Sequence, residues 1–145
     1  MEGRDRQRRK VYAWENRVIA PRDRSQLPFP AVQGMVNAIW SEMGLRYPPS
    51  VEPLPAQTRT RLADASRLSL RLPPLIPSWC LLHELAHAMT TTHDGQSDDH
   101  GPVFVGIYVQ LLARYLRLDE NWLLDTLHGA GVEAYVRARP VFLEG

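Results

Sequence analysis

Apolar and polar positions along the chain fall into short periodic blocks separated by proline and glycine, and the period changes from block to block. Between Arg4 and Ile19, Val11, Trp14, Arg17 and Val18 recur at helical spacing, which predicts an amphipathic helix with an arginine-rich start, closed by Pro21. From Pro30 to Met43, Val32, Met35, Val36, Ile39, Trp40 and Met43 share one helical face, and Gly44 supplies the stop. Four prolines between Tyr47 and Pro55 predict an extended linker. From Ser66 to Leu72 the period drops to two. Leu68, Leu70 and Leu72 point one way and Arg67, Ser69 and Arg71 the other, the pattern of a half-buried strand. Pro73, Pro74 and Pro77 exclude regular structure before the next helix.

That helix is expected to begin with Ser78 as N-cap, to bury Leu81, Leu82, Leu85, Ala86 and Met89, and to end at Thr90 to Thr92 with Asp94-Gly95. Pro102 suits the first turn of another, in which Val103, Phe104, Ile107, Tyr108, Leu111, Leu112, Tyr115 and Leu116 form a broad apolar stripe. Its expected packing partner is the helix capped by Ser78. Asp119 can cap a last short helix through Leu127, ended by Gly129. From Val132 to Val141 the alternation of Val132, Ala134, Val136 and Ala138 favours a strand. Helices mixed with short strands place the chain in the α+β class, and its 145 residues suit a single domain, 1–145, with the arginine-rich segment over 1–24.

Composition narrows the function. The formal net charge is +1, so no overall field draws nucleic acid or membrane. The single cysteine, Cys80, excludes an internal disulfide and suits a reducing compartment. Met1 to Lys10 is charged with no apolar stretch behind it, and no run approaches the length of a membrane span, so a cytoplasmic location is expected.

The chemistry concentrates in His83-Glu84-Leu85-Ala86-His87, followed after twelve intervening residues by His100. On a helix, residues four apart lie about 40° from one another around the axis and about 6 Å along it, so both imidazoles of the pair can reach one ion. Glu84, between them, projects beside the metal rather than binding it, where it can act as general base. Three imidazoles leave one tetrahedral position of a Zn²⁺ ion open to water.

The helix His83-Glu84-Leu85-Ala86-His87-Ala88-Met89, a polar loop and then His100-Gly101-Pro102-Val103-Phe104 resemble the core of SprT-like (Spartan-like) zinc metallopeptidases, over about residues 66–118. More closely, most of the chain, including the opening Arg-Asp-Arg-Gln-Arg-x-x-Val-Tyr at residues 4 to 12, is similar to a family of short actinobacterial and phage proteins regarded as metallohydrolases. The resemblance implies His83, His87 and His100 as Zn²⁺ ligands and Glu84 as general base and acid. It also implies a minimal zincin-like domain, with a small sheet over the motif helix and other helices behind, and a peptide or protein substrate. The metzincin continuation is absent, and no accessory segment for DNA or ubiquitin is visible, so a role on DNA-crosslinked proteins does not carry over.

Other residues invite two readings. Cys80, three positions before His83, is a fourth ligand or a small buried side chain. His93 is a competing ligand or a solvated loop residue. Asp98 and Asp99 orient a ligand imidazole or answer a helix dipole. Tyr108 and Tyr135 are oxyanion donors or core. His128 complements a helix C-terminus. The 66–72 strand borders the cleft and binds extended substrate, or is an ordinary strand with a wet arginine face. For the whole chain, the alternative to a zinc hydrolase is a metal-stabilised binding module that contacts nucleic acid or protein through Arg4, Arg6, Arg8 and Arg9.

Overall fold

Two helices, α3 (Ser78–Met89) and α4 (Pro102–Tyr115), pack against each other at the centre of the computed structural model, which describes residues 5–55 and 63–142. Ahead of them in the chain come α1 (Arg8–Trp14), β1 (Leu27–Pro28), α2 (Phe29–Glu42), β2 (Ser50–Pro53), β3 (Asp64–Ala65), β4 (Ser69–Leu72) and β5 (Leu75–Ile76); α5 (Glu120–Gly129) follows. The class is α+β. Buried side chains from α1 to residue 138 join one apolar cluster, with Trp14, Trp40, Phe104 and Tyr108 its largest members. Among the described residues no helix is long and apolar enough to cross a membrane.

Caps set the central pair. Pro77, not Ser78, is the N-cap of α3. Its first free N–H groups are taken from afar: Ser78 N donates to Ser25 Oγ (2.8 Å) and Trp79 N to Asp23 Oδ2 (2.8 Å). At the other end Thr90 and Thr91 hydroxyls donate back to the carbonyls of Ala86 (2.8 Å) and His87 (2.6 Å), closing the helix where the sequence places its end. Pro102 occupies the first turn of α4, and the Asp98 carboxylate accepts from Val103 N (2.7 Å) and Phe104 N (3.2 Å). Gly101 is required there, because a Cβ would lie 2.6 Å from Asp98 Oδ2.

Several elements depart from the sequence reading. The first helix is α-helical only from Arg8, then passes through a π turn (Glu15–Ile19) and a 3-10 turn (Ala20–Arg22) that contains Pro21. Residues 1–4, with Arg4, lie outside the described residues. Arg17 is exposed, and the inward face is Val11, Trp14, Glu15 and Ile19. On α2 Met35 faces solvent. The proline-rich stretch is more than a linker: β2 pairs in parallel with β4, Val51 opposite Leu70. Between the prolines at 74 and 77, β5 pairs with β1, which needs only two residues.

The strand expected over 66–72 starts at Ser69, because Ser66 closes a tight turn. Its hydroxyl accepts from Ser69 N (3.1 Å) while its own N–H donates to Ser69 O (2.8 Å), reversing the chain from β3 into antiparallel β4. Leu70 and Leu72 point inward as predicted, but Leu68 sits at the turn tip, 59% exposed. Arg67 goes inside instead. Its guanidinium donates to the carbonyl of Tyr47 (3.0 Å) and lies 4.3 Å from the Phe142 ring centroid. Among the described residues the sheet order β2-β4-β3 makes β4 central, and β3 and β4 both pack on α3.

α5 extends to Gly129, with Asp119 capping it through Trp122 N (2.8 Å), and Gly131 at φ 74° is the left-handed residue that stops it. The strand expected over 132–141 is absent. That segment is held on the α3–α4 pair by backbone bonds from Tyr135 N to Pro102 O of α4 (2.9 Å) and from Val141 N to Met89 O of α3 (3.0 Å). It crosses so closely that a Cβ on Gly106 would fall 1.9 Å from the Tyr135 carbonyl oxygen. Gly106→Ala is therefore expected to cost about 1–3 kcal/mol in urea unfolding. Gly34→Ala, on α2 with nothing within 4 Å of the new methyl, is expected to add about 0.5–1 kcal/mol. Equal effects of the two would contradict the crossing.

Candidate metal centre

His83 and His87 stand one turn apart on α3, and His100 comes from the loop that leads into α4. The structure brings all three together: one nitrogen from each lies within 4.8 Å of the others. His87 Nε2 and His100 Nε2 are 3.2 Å apart. Two nitrogens at zinc-bonding distance in a tetrahedral set would be separated by about 3.3 Å, so this pair fits a single ion, and an all-imidazole donor set suits zinc as it does cobalt or nickel.

The far side of two rings is held by carboxylates. His83 Nδ1 donates to Glu15 Oε2, which also accepts from Tyr108 Oη (2.7 Å). His100 Nδ1 pairs with Asp5 Oδ2 (2.9 Å), while the His100 backbone N–H donates to Asp5 Oδ1 (3.1 Å). A carboxylate only accepts, so in the neutral rings the proton sits on Nδ1 and the lone pair of Nε2 is turned to the centre. Gln7 fixes the same loop: its Nε2 donates to the carbonyls of His100 (3.0 Å) and Glu133 (3.1 Å), and its Oε1 accepts from Glu133 N (2.6 Å).

Aromatic rings complete the walls. Phe104 stacks on His87 with centroids 4.2 Å apart and meets His83 and His100 edge-on, each at 5.1 Å. Tyr12 stacks on His83 at 5.9 Å and stands edge-on to His100 at 5.1 Å. Tyr12, Glu84, His83 and His87 open onto a cleft of about 1130 Å³, bordered on its far side by Ala63, Asp64, Ala65 and Ser66.

Charge in this pocket is governed by burial. Burial pushes the Glu84 carboxyl up to about 7, against the pull of His83, with the Glu15 charge adding to the rise. Burial alone would lower His83, but the hydrogen bond and charge of Glu15 outweigh it and hold the ring above its ordinary value. His87 has no such anchor, and burial beside two other imidazoles takes it well below the ordinary range. His100 is also lowered, by burial first, although Asp5 opposes the shift.

Other residues singled out in the sequence are placed elsewhere. Cys80 lies on the cleft wall and is not part of the ligand cluster. His93 is exposed in the loop. Asp98 caps α4, and neither it nor Asp99 touches the His100 ring; Asp5 does that instead. Tyr108 is fully buried behind Glu15, away from the cleft. Tyr135 and His128 border a separate hollow of about 520 Å³ that includes none of the three histidines. Arg6, Arg8 and Arg9 are exposed, with the Arg8 guanidinium 5.6 Å from the Tyr12 ring centroid.

Asp5, Gln7, Tyr12, Glu15 and Phe104 were not singled out as site residues by the sequence reading. Asp5, Gln7 and Tyr12 stand in the opening motif at residues 4 to 12 and Phe104 in the element that starts at His100; Glu15 had a signal of another kind, since Val11, Trp14, Glu15 and Val18 follow i, i+3, i+4, i+7 spacing and Glu15 interrupts an apolar stripe. Comparison with family models, with curated proteins and with solved structures returns no match.

Burial, with Glu15, Glu84 and Asp23 adding negative charge, pushes the Cys80 thiol up to about 12. Only the thiolate reacts. With EDTA present, alkylation by iodoacetamide at pH 8 is expected to run on the order of a thousandfold slower than for a free cysteine, and to rise with pH through pH 10 without levelling. A plateau near pH 9 would contradict this environment.

Proposed function

We propose that the protein is a zinc-dependent metallohydrolase of zincin type, and specifically a metallopeptidase acting on extended peptide segments. The observation that carries this reading is Glu84: a carboxylate only 9% exposed, next to one ligand histidine and three residues before another, facing the same open cleft as both. A purely structural metal site gains nothing from a buried carboxylate there, and burying one without a task is costly.

His83, His87 and His100 would hold the ion. Bound there, zinc would supply Lewis-acid chemistry, polarising a carbonyl oxygen and lowering the pKa of water to about 7. Glu84 takes a proton from the attacking water and returns it to the leaving amine. Tyr12 and Phe104 bracket the imidazoles and limit their rotation. Substrate is positioned along the cleft. β3 borders it, whereas the central strand β4 has both sides paired. An extended peptide lying in the cleft beside β3 runs past Glu84, held through its backbone with little sequence selectivity.

The binding-module alternative draws on exposed Arg6, Arg8 and Arg9. It assigns no role to Glu84, so one pair of variants separates the two. Purified protein is expected to carry one equivalent of zinc, with marked loss in His100→Ala. Glu84→Gln is expected to keep its zinc while hydrolysis of an unstructured fluorogenic peptide falls about 10²- to 10⁴-fold. Undiminished turnover in Glu84→Gln would defeat the peptidase reading.

A further inference from the structure

Two of the three candidate ligands are steered by one short stretch of chain, residues 5–15, that lies 68 to 95 positions away in sequence. Its two ends are held differently. The later part is bolted into the core by Val11 and Trp14, with Trp14 Nε1 donating to Thr126 Oγ1 (2.9 Å). The tip, Asp5 to Gln7, precedes the first of these apolar anchors. What it shows instead is polar: the Asp5 carboxylate on His100 and the Gln7 amide on His100 and Glu133.

We infer that this segment is a docking arm whose seating sets the affinity of the metal centre, with Asp5 and Glu15 as positioning residues for His100 and His83. The inference rests on the metal reading of the three histidines and extends it to regulation of that site. An imidazole that keeps its Nδ1 proton on a fixed carboxylate offers its other nitrogen in one direction with increased basicity. His83 and His100 are both held so, and Asp5 grips His100 at the ring and the backbone together, which fixes the ligand and the loop carrying it. His87 touches nothing on the arm's tip and is aligned by Phe104 and by its own place on α3. Binding an ion to three histidines therefore requires the arm to be seated, and by reciprocity a bound ion must seat the arm more firmly. Whatever displaces the tip, a partner or a protease, loosens the metal.

Lys10 supplies the control. It docks the same helix through Nζ to the Gly131 carbonyl (3.3 Å) without reaching any ligand. Zinc affinity, measured on the full chain by competition with a chromophoric chelator, is expected to weaken about 10- to 100-fold in both Asp5→Asn and Glu15→Gln, and to stay within twofold of wild type in Lys10→Ala. The cobalt-substituted visible spectrum should shift in the first two variants only. Wild type gives a second readout that needs no variant: zinc should slow trypsin cleavage after Arg6 relative to protein held in EDTA. Stoichiometric, tight zinc binding by wild type with unchanged affinity in both carboxylate variants, or cleavage after Arg6 indifferent to zinc, would overturn the arm. A wild-type chain that binds no zinc would overturn the metal reading beneath it as well.

Discussion

The fold is organised around an unfavourable act, the burial of ionisable groups in an apolar core. Glu15 is 2% exposed, His83 5%, His100 6% and Glu84 9%, in a neighbourhood otherwise built from Trp14, Phe104 and Tyr108. Each uncompensated polar group there would cost a few kcal/mol. Compensation comes from pairing over long sequence distances: Glu15 with His83 and Tyr108, Asp5 with His100, Gln7 with the backbone of His100 and Glu133. These bonds fix where the first helix lies, and its π turn begins at Glu15, the residue that must reach inward.

Behind the imidazoles, α4 approaches with Phe104 and Tyr108, and the C-terminal segment presses over it at Gly106, so that wall is rigid. In front lie the short strand β3 and the exposed Tyr12, 39% accessible, both lining the cleft. Glu84 faces this front through the cleft. The geometry thus places Glu15 and Asp5 on the Nδ1 side of His83 and His100, and Glu84 on the cleft wall.

Much of the helical layout was legible in the sequence because each helix carries a strong signal at its ends: Pro102 with the apolar stripe for α4, the threonines after Met89 for α3, Asp119 for α5. The three histidines were legible because spacing on a helix and a nearby helix start are local facts. What escaped was non-local. A proline-rich stretch gains a strand only because β4 is beside it, and 132–141 stays irregular because its hydrogen bonds go to Pro102 and Met89 rather than to a sheet. Asp5 stood in the Arg-Asp-Arg-Gln-Arg-x-x-Val-Tyr opening, but nothing local there points to His100, 95 positions away. Ser66 shows a local miss: its side-chain turn was readable, and it sends Arg67 inward and Leu68 out, against the two-residue period.

Zinc-edge X-ray absorption on the loaded protein tests the central proposal most directly. The account predicts three imidazole nitrogens at about 2.0–2.1 Å, one light oxygen neighbour and no sulfur. A sulfur scatterer from Cys80, a fourth imidazole, or fewer than three imidazoles would contradict an open three-histidine centre with Glu84 beside its free position.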